Sequence, residues 1–250
     1  MKVDDNENTG YNSSAKQFLF VPLLTVFYVL LILVIDFLAS SQLMFPFDWS
    51  WFSWSLADVL RHIPPLSDQV SILAPADHFD LFKFVFWFLL PFLFSYQKLD
   101  KDWIMPGKFQ RKDWYFTAFL FLTGFIVLAA LLLTPSLRHY YGQKEWVGAS
   151  AKFQRAVRFL IWETSWLPGW EFLCRYVFLR ALLQIRPRYL WLLLPVVEGL
   201  FHLQKPLIEA LGMTVFSLFL TGWTVRRKNL FLPFCAHLFV EVLLLVVLLI

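Results

Sequence analysis

The chain has 250 residues, of which 59% are hydrophobic and only 16% charged, with a mean hydropathy of +0.60. A soluble domain averages about 45–50% apolar and about 25% charged, so a water-soluble globule is excluded and lipid is the expected surrounding. The excess of basic residues, net charge +4, lies in short clusters between apolar runs, where insertion topology and lipid headgroups account for it, and nucleic acid is not an expected partner.

Residues 1–16 are polar (Asp4, Asp5, Asn6, Glu7, Asn8) and read as an N-terminal tail. Apolar runs then recur at 18–39, 81–96, 114–134, 159–183, 189–201, 208–225 and 230–250. A helix needs about 20 residues to cross a bilayer. The expected fold is therefore all-α, a polytopic transmembrane helical bundle of about seven spans, within a range of six to eight. The second, fifth and sixth runs are short, so those helices tilt little, thin the bilayer or extend into flanking residues. The first run is too long for a signal-peptide core and follows a polar stretch, which makes it a retained anchor. Pro22, Pro91 and Pro195 fall inside or at the edge of runs, where neighbouring helices must satisfy the freed carbonyls. Cys174 and Cys235 both sit in apolar segments, with neither the spacing of a disulfide framework nor that of a zinc site.

The basic residues set the orientation. Lys98, Lys101, Lys108, Arg111 and Lys112 follow the second run, Arg186 and Arg188 the fourth, and Arg226, Arg227 and Lys228 the sixth. All three groups share one side if the N-terminus is cytoplasmic, as the positive-inside rule requires. Segment 40–80, with Arg61 against Asp48, Asp58, Asp68, Asp77 and Asp80 and with Trp49, Trp51, Phe52 and Trp54, suits the outer interface. One loop disagrees: 135–158 carries Arg138, Lys144, Lys152, Arg155 and Arg158 on the side counted as outer, so it is either an interfacial helix or a sign that the span count is off by one. The organisation expected is a tail (1–16), N-terminal membrane helices (17–154) and a C-terminal core (155–250).

An ionisable group inside a membrane helix costs about 2.5–3.5 kcal/mol on insertion scales, so each one suggests a function or a partner. Asp36 and Lys83 in the first half lie near run ends and can snorkel to the interface. In the C-terminal half the charges repeat at one spacing: Glu171 and Arg175, Glu198 and His202, His237 and Glu241. Residues four apart share a helix face, so three helices each offer a polar step, and in lipid those steps must face one another. Glu with His can deprotonate water, a second His can stabilise an oxyanion, and an Arg one turn from a Glu fixes that carboxylate. Two His and a Glu could also hold zinc, but the His-Glu-x-x-His motif is absent. A Gly-x-Ser-x-Gly elbow is absent too.

The stretches Trp170-Glu171-Phe172-Leu173-Cys174-Arg175, His202-Leu203-Gln204-Lys205-Pro206 with Glu209, and Arg226-Arg227-Lys228-Asn229-Leu230-Phe231 leading to His237 carry a resemblance. Over about residues 155–245 the chain resembles the CAAX protease and bacteriocin-processing family of intramembrane glutamic proteases, and in particular a bacterial branch whose first motif reads Trp-Glu-Phe-x-x-Arg. The resemblance implies metal-independent, cofactor-free cleavage of a peptide bond in or near the membrane. It assigns His202 to water activation, His237 to oxyanion stabilisation and Arg175 to positioning. Where the family usually has Glu-Glu-x-x-x-Arg, Trp170 replaces the leading Glu and leaves Glu171 in the second position. One residue rotates a helical side chain by about 100°, so Glu171 does not simply inherit the role, and Glu198, one turn before His202, is a substitute. Tyr176 replaces a small Gly that often follows the Arg, and Glu241 stands where the family often has Asn or Asp.

The function expected is an intramembrane glutamic-type endopeptidase of a bacterial cytoplasmic membrane, acting on a membrane protein or peptide, prenylated or not. The alternative is a catalytically silent member serving as a membrane scaffold or chaperone. A third and less favoured reading is an ion-coupled transporter, which usually has pseudo-symmetric halves that are not seen in this sequence.

Overall fold

The computed structural model describes residues 9–40, 52–141, 148–185 and 189–249. Among them each apolar run forms a helix. These are α1 (Thr9–Ser40), α2 (Leu81–Ser95), α3 (Arg111–Leu133), α4 (Ala149–Glu171, continuing unbroken through Phe172–Phe178 and Leu179–Gln184), α5 (Leu190–Gln204), α6 (Leu207–Arg227) and α7 (Phe231–Leu249). Strand structure among the described residues is limited to the isolated bridge Ser55–Asp80. The Phe20–Ser40 part of α1, α3 and α6 are long and apolar enough to cross a membrane, whereas α2, α5 and the Phe231–Val246 part of α7 are apolar but shorter. The outward faces stay apolar: Phe20, Leu24 and Phe27 on α1, Leu122, Phe125 and Leu133 on α3, and Leu207, Leu211 and Val215 on α6 are exposed. In water such faces would be an aggregation surface; against lipid tails they match their solvent.

Helix α1 starts at Thr9, inside the stretch read as a tail; residues 1–8, Trp49, Trp51, Lys144, Arg186 and Arg188 lie outside the described residues. The awkward basic segment 135–158 divides. Part of it is the short helix Pro135–Tyr141, and residues 149–158 are the first turns of α4. At 1.5 Å per residue α4 is about 54 Å long, against a hydrocarbon core of about 30 Å. The turns carrying Lys152, Arg155 and Arg158 therefore reach beyond the apolar layer.

Two of these helices contain a π-helical segment. Phe84–Leu89 of α2 and Phe172–Phe178 of α4 are π-helical. In α2 the cause is Pro91, which lacks an N–H and whose ring clashes with the carbonyl four residues back. π-Turns are rare and recur at functional sites, and the one in α4 carries Arg175.

Asp36 and Lys83 do not snorkel separately, as their positions suggested. Lys83 Nζ lies 3.3 Å from Asp36 Oδ1 and 2.6 Å from Asp80 Oδ2, so the two membrane charges satisfy each other across α1 and α2. Arg227 of the basic turn has a similar use: its Nη2 donates to Asp113 Oδ2 at 3.0 Å, and that carboxylate also accepts from the Gln110 N–H at the start of α3. Next to it Lys228 takes the left-handed conformation (φ 49°), and Asn229 donates to the carbonyls of Asp102 and Met105 while accepting from the Phe231 N–H. The core around the site is aromatic. Trp170 stands 5.1 Å from both Trp87 and Phe201 between ring centroids.

Candidate active site

The π-turn of α4 puts Arg175 at the centre of the bundle with no exposed surface, and Glu171 and Glu198 are equally buried. Arg175 Nη1 donates to Glu198 Oε1 at 2.6 Å and Nη2 to Oε2 at 3.1 Å, a two-pronged pair between α4 and α5. Its Nε lies 3.2 Å from Glu171 Oε2, an ion pair by distance whose geometry leaves both atoms without a hydrogen bond. The other oxygen of Glu171, Oε1, lies 2.7 Å from His237 Nδ1 on α7. His237 Nε2 is 3.6 Å from Glu241 Oε1. The expected residues thus form one chain of contacts, Glu198–Arg175–Glu171–His237–Glu241, across α5, α4 and α7. With both nitrogens facing carboxylate oxygens, the ring of His237 can donate on both sides.

His202 stands beside this chain. It opens a 3₁₀ turn at the end of α5, and its Nδ1 lies 2.9 Å from the backbone carbonyl of Glu198, not from that residue's carboxylate. The carbonyl can only accept, so Nδ1 carries the hydrogen and the neutral ring has its lone pair at Nε2. His202 is close enough to His237 and Glu241 for their charges to interact. The edge-on ring of Trp170 supports it, with centroids 6.3 Å apart. Trp170, one residue before Glu171, therefore packs against His202.

Two buried polar residues near the site, Glu163 and Ser217, were not read from the sequence. Glu163, two turns before Trp170, is 3% exposed and lies against Glu241 and His237. It is an ionisable group inside the fourth apolar run, and the rule that raised Glu171 would have raised it too. Ser217 of α6, fully buried, adds a hydroxyl beside Glu198. Tyr176 fills its extra volume productively: its hydroxyl accepts from the Asp100 N–H at 2.8 Å and from Arg180 Nη1 at 2.6 Å, and its ring stacks on Phe172. A separate groove of about 340 Å³ lies between α1 and α5, lined by Leu33, Val34, Phe37, Val197, Phe201 and neighbouring apolar side chains. Cys174 is a free, fully buried thiol in the core, as its apolar setting suggested.

Residues 166–243 match the family described as type II CAAX prenyl endopeptidase Rce1-like. Over that stretch the chain is similar to the Rce1-like family. No curated protein and no solved structure matches the chain. The matched span runs from the middle of α4 to the middle of α7 and holds all six expected site residues. The apolar helices mark the chain as an integral membrane protein, and its C-terminal part is similar to the CAAX-protease type.

Proposed function

We propose that the chain is an intramembrane endopeptidase that hydrolyses a peptide bond of a membrane protein or membrane peptide without a metal ion. The observation that carries this reading is the contact chain from Glu198 to Glu241, built by three helices inside the Rce1-like segment. A purely structural ion pair needs two partners; this chain runs on through the imidazole of His237, a group of the kind that binds and moves protons near neutral pH.

In this reading His202 holds the attacking water through the lone pair on Nε2. His237, oriented by Glu171 at Nδ1, donates from Nε2 to the oxyanion that develops on the scissile carbonyl. Arg175 and Glu198 are positioning residues, because both carboxylate oxygens of Glu198 are taken by the guanidinium and neither is free to act as base. The basic groups after α2, α4 and α6 favour a cytoplasmic N-terminus in a bacterial cytoplasmic membrane.

A second reading is a catalytically silent membrane scaffold. It is favoured by one observation, that Arg175 sits in a closed core between Glu171 and Glu198 while Trp170 occupies the usual place of the water-activating Glu. The test is cleavage of a membrane-peptide library by the purified protein against its His202→Ala variant, with both checked for folding. Products formed by the wild type and lost in the variant support the peptidase; no product from either supports the scaffold.

A further inference from the structure

The peptidase reading lacks a carboxylate free to accept the proton of water. Glu171 is engaged by His237 and Arg175, Glu198 by Arg175, and the family's usual carboxylate position holds Trp170. Glu163 occupies the same face of α4. Seven residues separate it from Trp170, and seven steps of about 100° return a side chain to within about 20° of its starting direction. An acid thus stands on the face of Trp170, two turns earlier along α4.

The surroundings of Glu163 point to an occupant. The residue is 3% exposed, yet neither of its oxygens has a hydrogen-bond donor. Its charge interacts with that of Glu241 on α7, and two ionised carboxylates offer no donor to each other. Trp166, one turn along α4, has a buried indole N–H with no acceptor, and its ring stands 5.8 Å from that of His237. Buried polar groups left unsatisfied at one place are the mark of water or ligand. The charges that act on Glu163 from other elements include Glu241 and His237 on α7 and Lys205 just after α5. Glu163 also precedes the first residue of the family match.

We propose that Glu163 and Glu241 form a carboxyl pair that holds one proton between them and performs the acid–base step of hydrolysis at the site bounded by His202 and His237. This inference rests on the peptidase reading. In the first step the ionised carboxyl removes a proton from the water held by His202, and the water oxygen bonds to the scissile carbon. The shared proton passes to the carbonyl oxygen, giving a neutral tetrahedral diol, with His237 donating to the same oxygen as its charge develops. In the second step the diol returns a proton to the carboxylate, the other carboxyl protonates the amide nitrogen, and the C–N bond breaks. An acid and an amine leave, and the pair again holds one proton. Two adjoining carboxyls that cannot both ionise are suited to giving and taking a proton in turn.

Two experiments separate this inference from the reading beneath it. Glu163→Gln and Glu241→Gln, each verified to fold, are assayed on a peptide the wild type cleaves. Each is expected to lose about 100-fold or more in kcat, and the double variant is expected to be no worse than the singles because the residues act as a unit. Glu163→Gln within threefold of the wild type overturns the carboxyl pair and leaves the peptidase standing. The second experiment needs no activity. An apolar carbodiimide, which reacts with protonated carboxyl groups in membranes, is applied to the wild-type protein and the adduct mapped by mass spectrometry. One adduct per chain, at Glu163 or Glu241, supports the shared proton even if no peptide is cut. No adduct on either residue overturns it.

Discussion

Removing Arg175 should damage the protein through what it leaves behind. Arg175→Met keeps most of the side-chain volume but strips Glu198 of two charge-assisted hydrogen bonds at 2.6 and 3.1 Å and Glu171 of its ion pair at 3.2 Å, all at positions without exposed surface. Hydrogen bonds to charged groups contribute about 1.5–3 kcal/mol each, so the two to Glu198 bound the loss at about 3–6 kcal/mol. Breaking a buried pair by removing one partner typically costs about 3–5 kcal/mol, and Glu198 can relieve part of the strain by taking up a proton. The expected destabilisation is about 3–5 kcal/mol. At about 2–4 °C per kcal/mol for a chain of this size, the unfolding midpoint in detergent should fall by roughly 6–20 °C. The double variant Arg175→Met with Glu198→Leu removes the stranded carboxylate, and replacing a buried pair by apolar groups is often neutral or better. It should recover most of the loss while remaining inactive. A single variant that loses less than about 1 kcal/mol, or a double variant no more stable than the single, would refute this account of the core.

Gly199 is the close approach of α5 to α6: a Cβ there would run into the Thr214 hydroxyl and sit 3.1 Å from Thr214 Cβ and 3.3 Å from the Ala210 carbonyl oxygen. Gly199→Ala should therefore cost about 1–3 kcal/mol as overpacking, with partial recovery in Gly199→Ala/Thr214→Ala, read by detergent unfolding. Asn229→Ala removes a helix cap and two hydrogen bonds to the Asp102 and Met105 carbonyls in the loop that joins α2 to α3. It should cost about 1–2 kcal/mol and expose that loop to protease, whereas unchanged cleavage there would count against the tie. Outside the membrane, the Ser55 N–H and hydroxyl, with Arg61, hold the Asp58 carboxyl below the usual carboxylate range. A depressed pKa contributes stability above the unfolded value and loses it as pH falls through the folded one. Hydrogen exchange in Leu56–Leu60 should therefore quicken only on acidification past the ordinary carboxylate range, and Asp58→Asn should abolish that pH dependence.

The helices were legible because lipid leaves a chain few choices: every backbone group must be paired internally, so each apolar run became a helix, although α1 and α4 start nine and ten residues before their runs. The convergence of Glu171, Arg175, Glu198, His237 and Glu241 was legible for the same reason, since charges in hydrocarbon must find one another. Their pairing was not. Spacing put Glu198 and His202 on one face, yet the imidazole meets the Glu198 carbonyl while the Arg175 fork takes both carboxylate oxygens. Which of two acceptors wins depends on helix rotation and on the π-turn at Phe172–Phe178, and periodicity carries neither. Asp36 and Lys83 show the same gap, each legible as a membrane charge but not as the other's partner. Trp170 announced a lost carboxylate; that its ring would brace His202 is a matter of packing with Trp87 and Phe201.

The central claim is hydrolysis by these side chains without a metal. The most direct measurement is mass spectrometry of peptide products made by the purified protein in heavy-oxygen water with a chelator present, wild type beside His202→Ala. The account predicts one heavy oxygen atom in each new C-terminal carboxylate for the wild type and no product for the variant. Cleavage that the chelator abolishes and added metal restores, or cleavage that survives in His202→Ala, would contradict it.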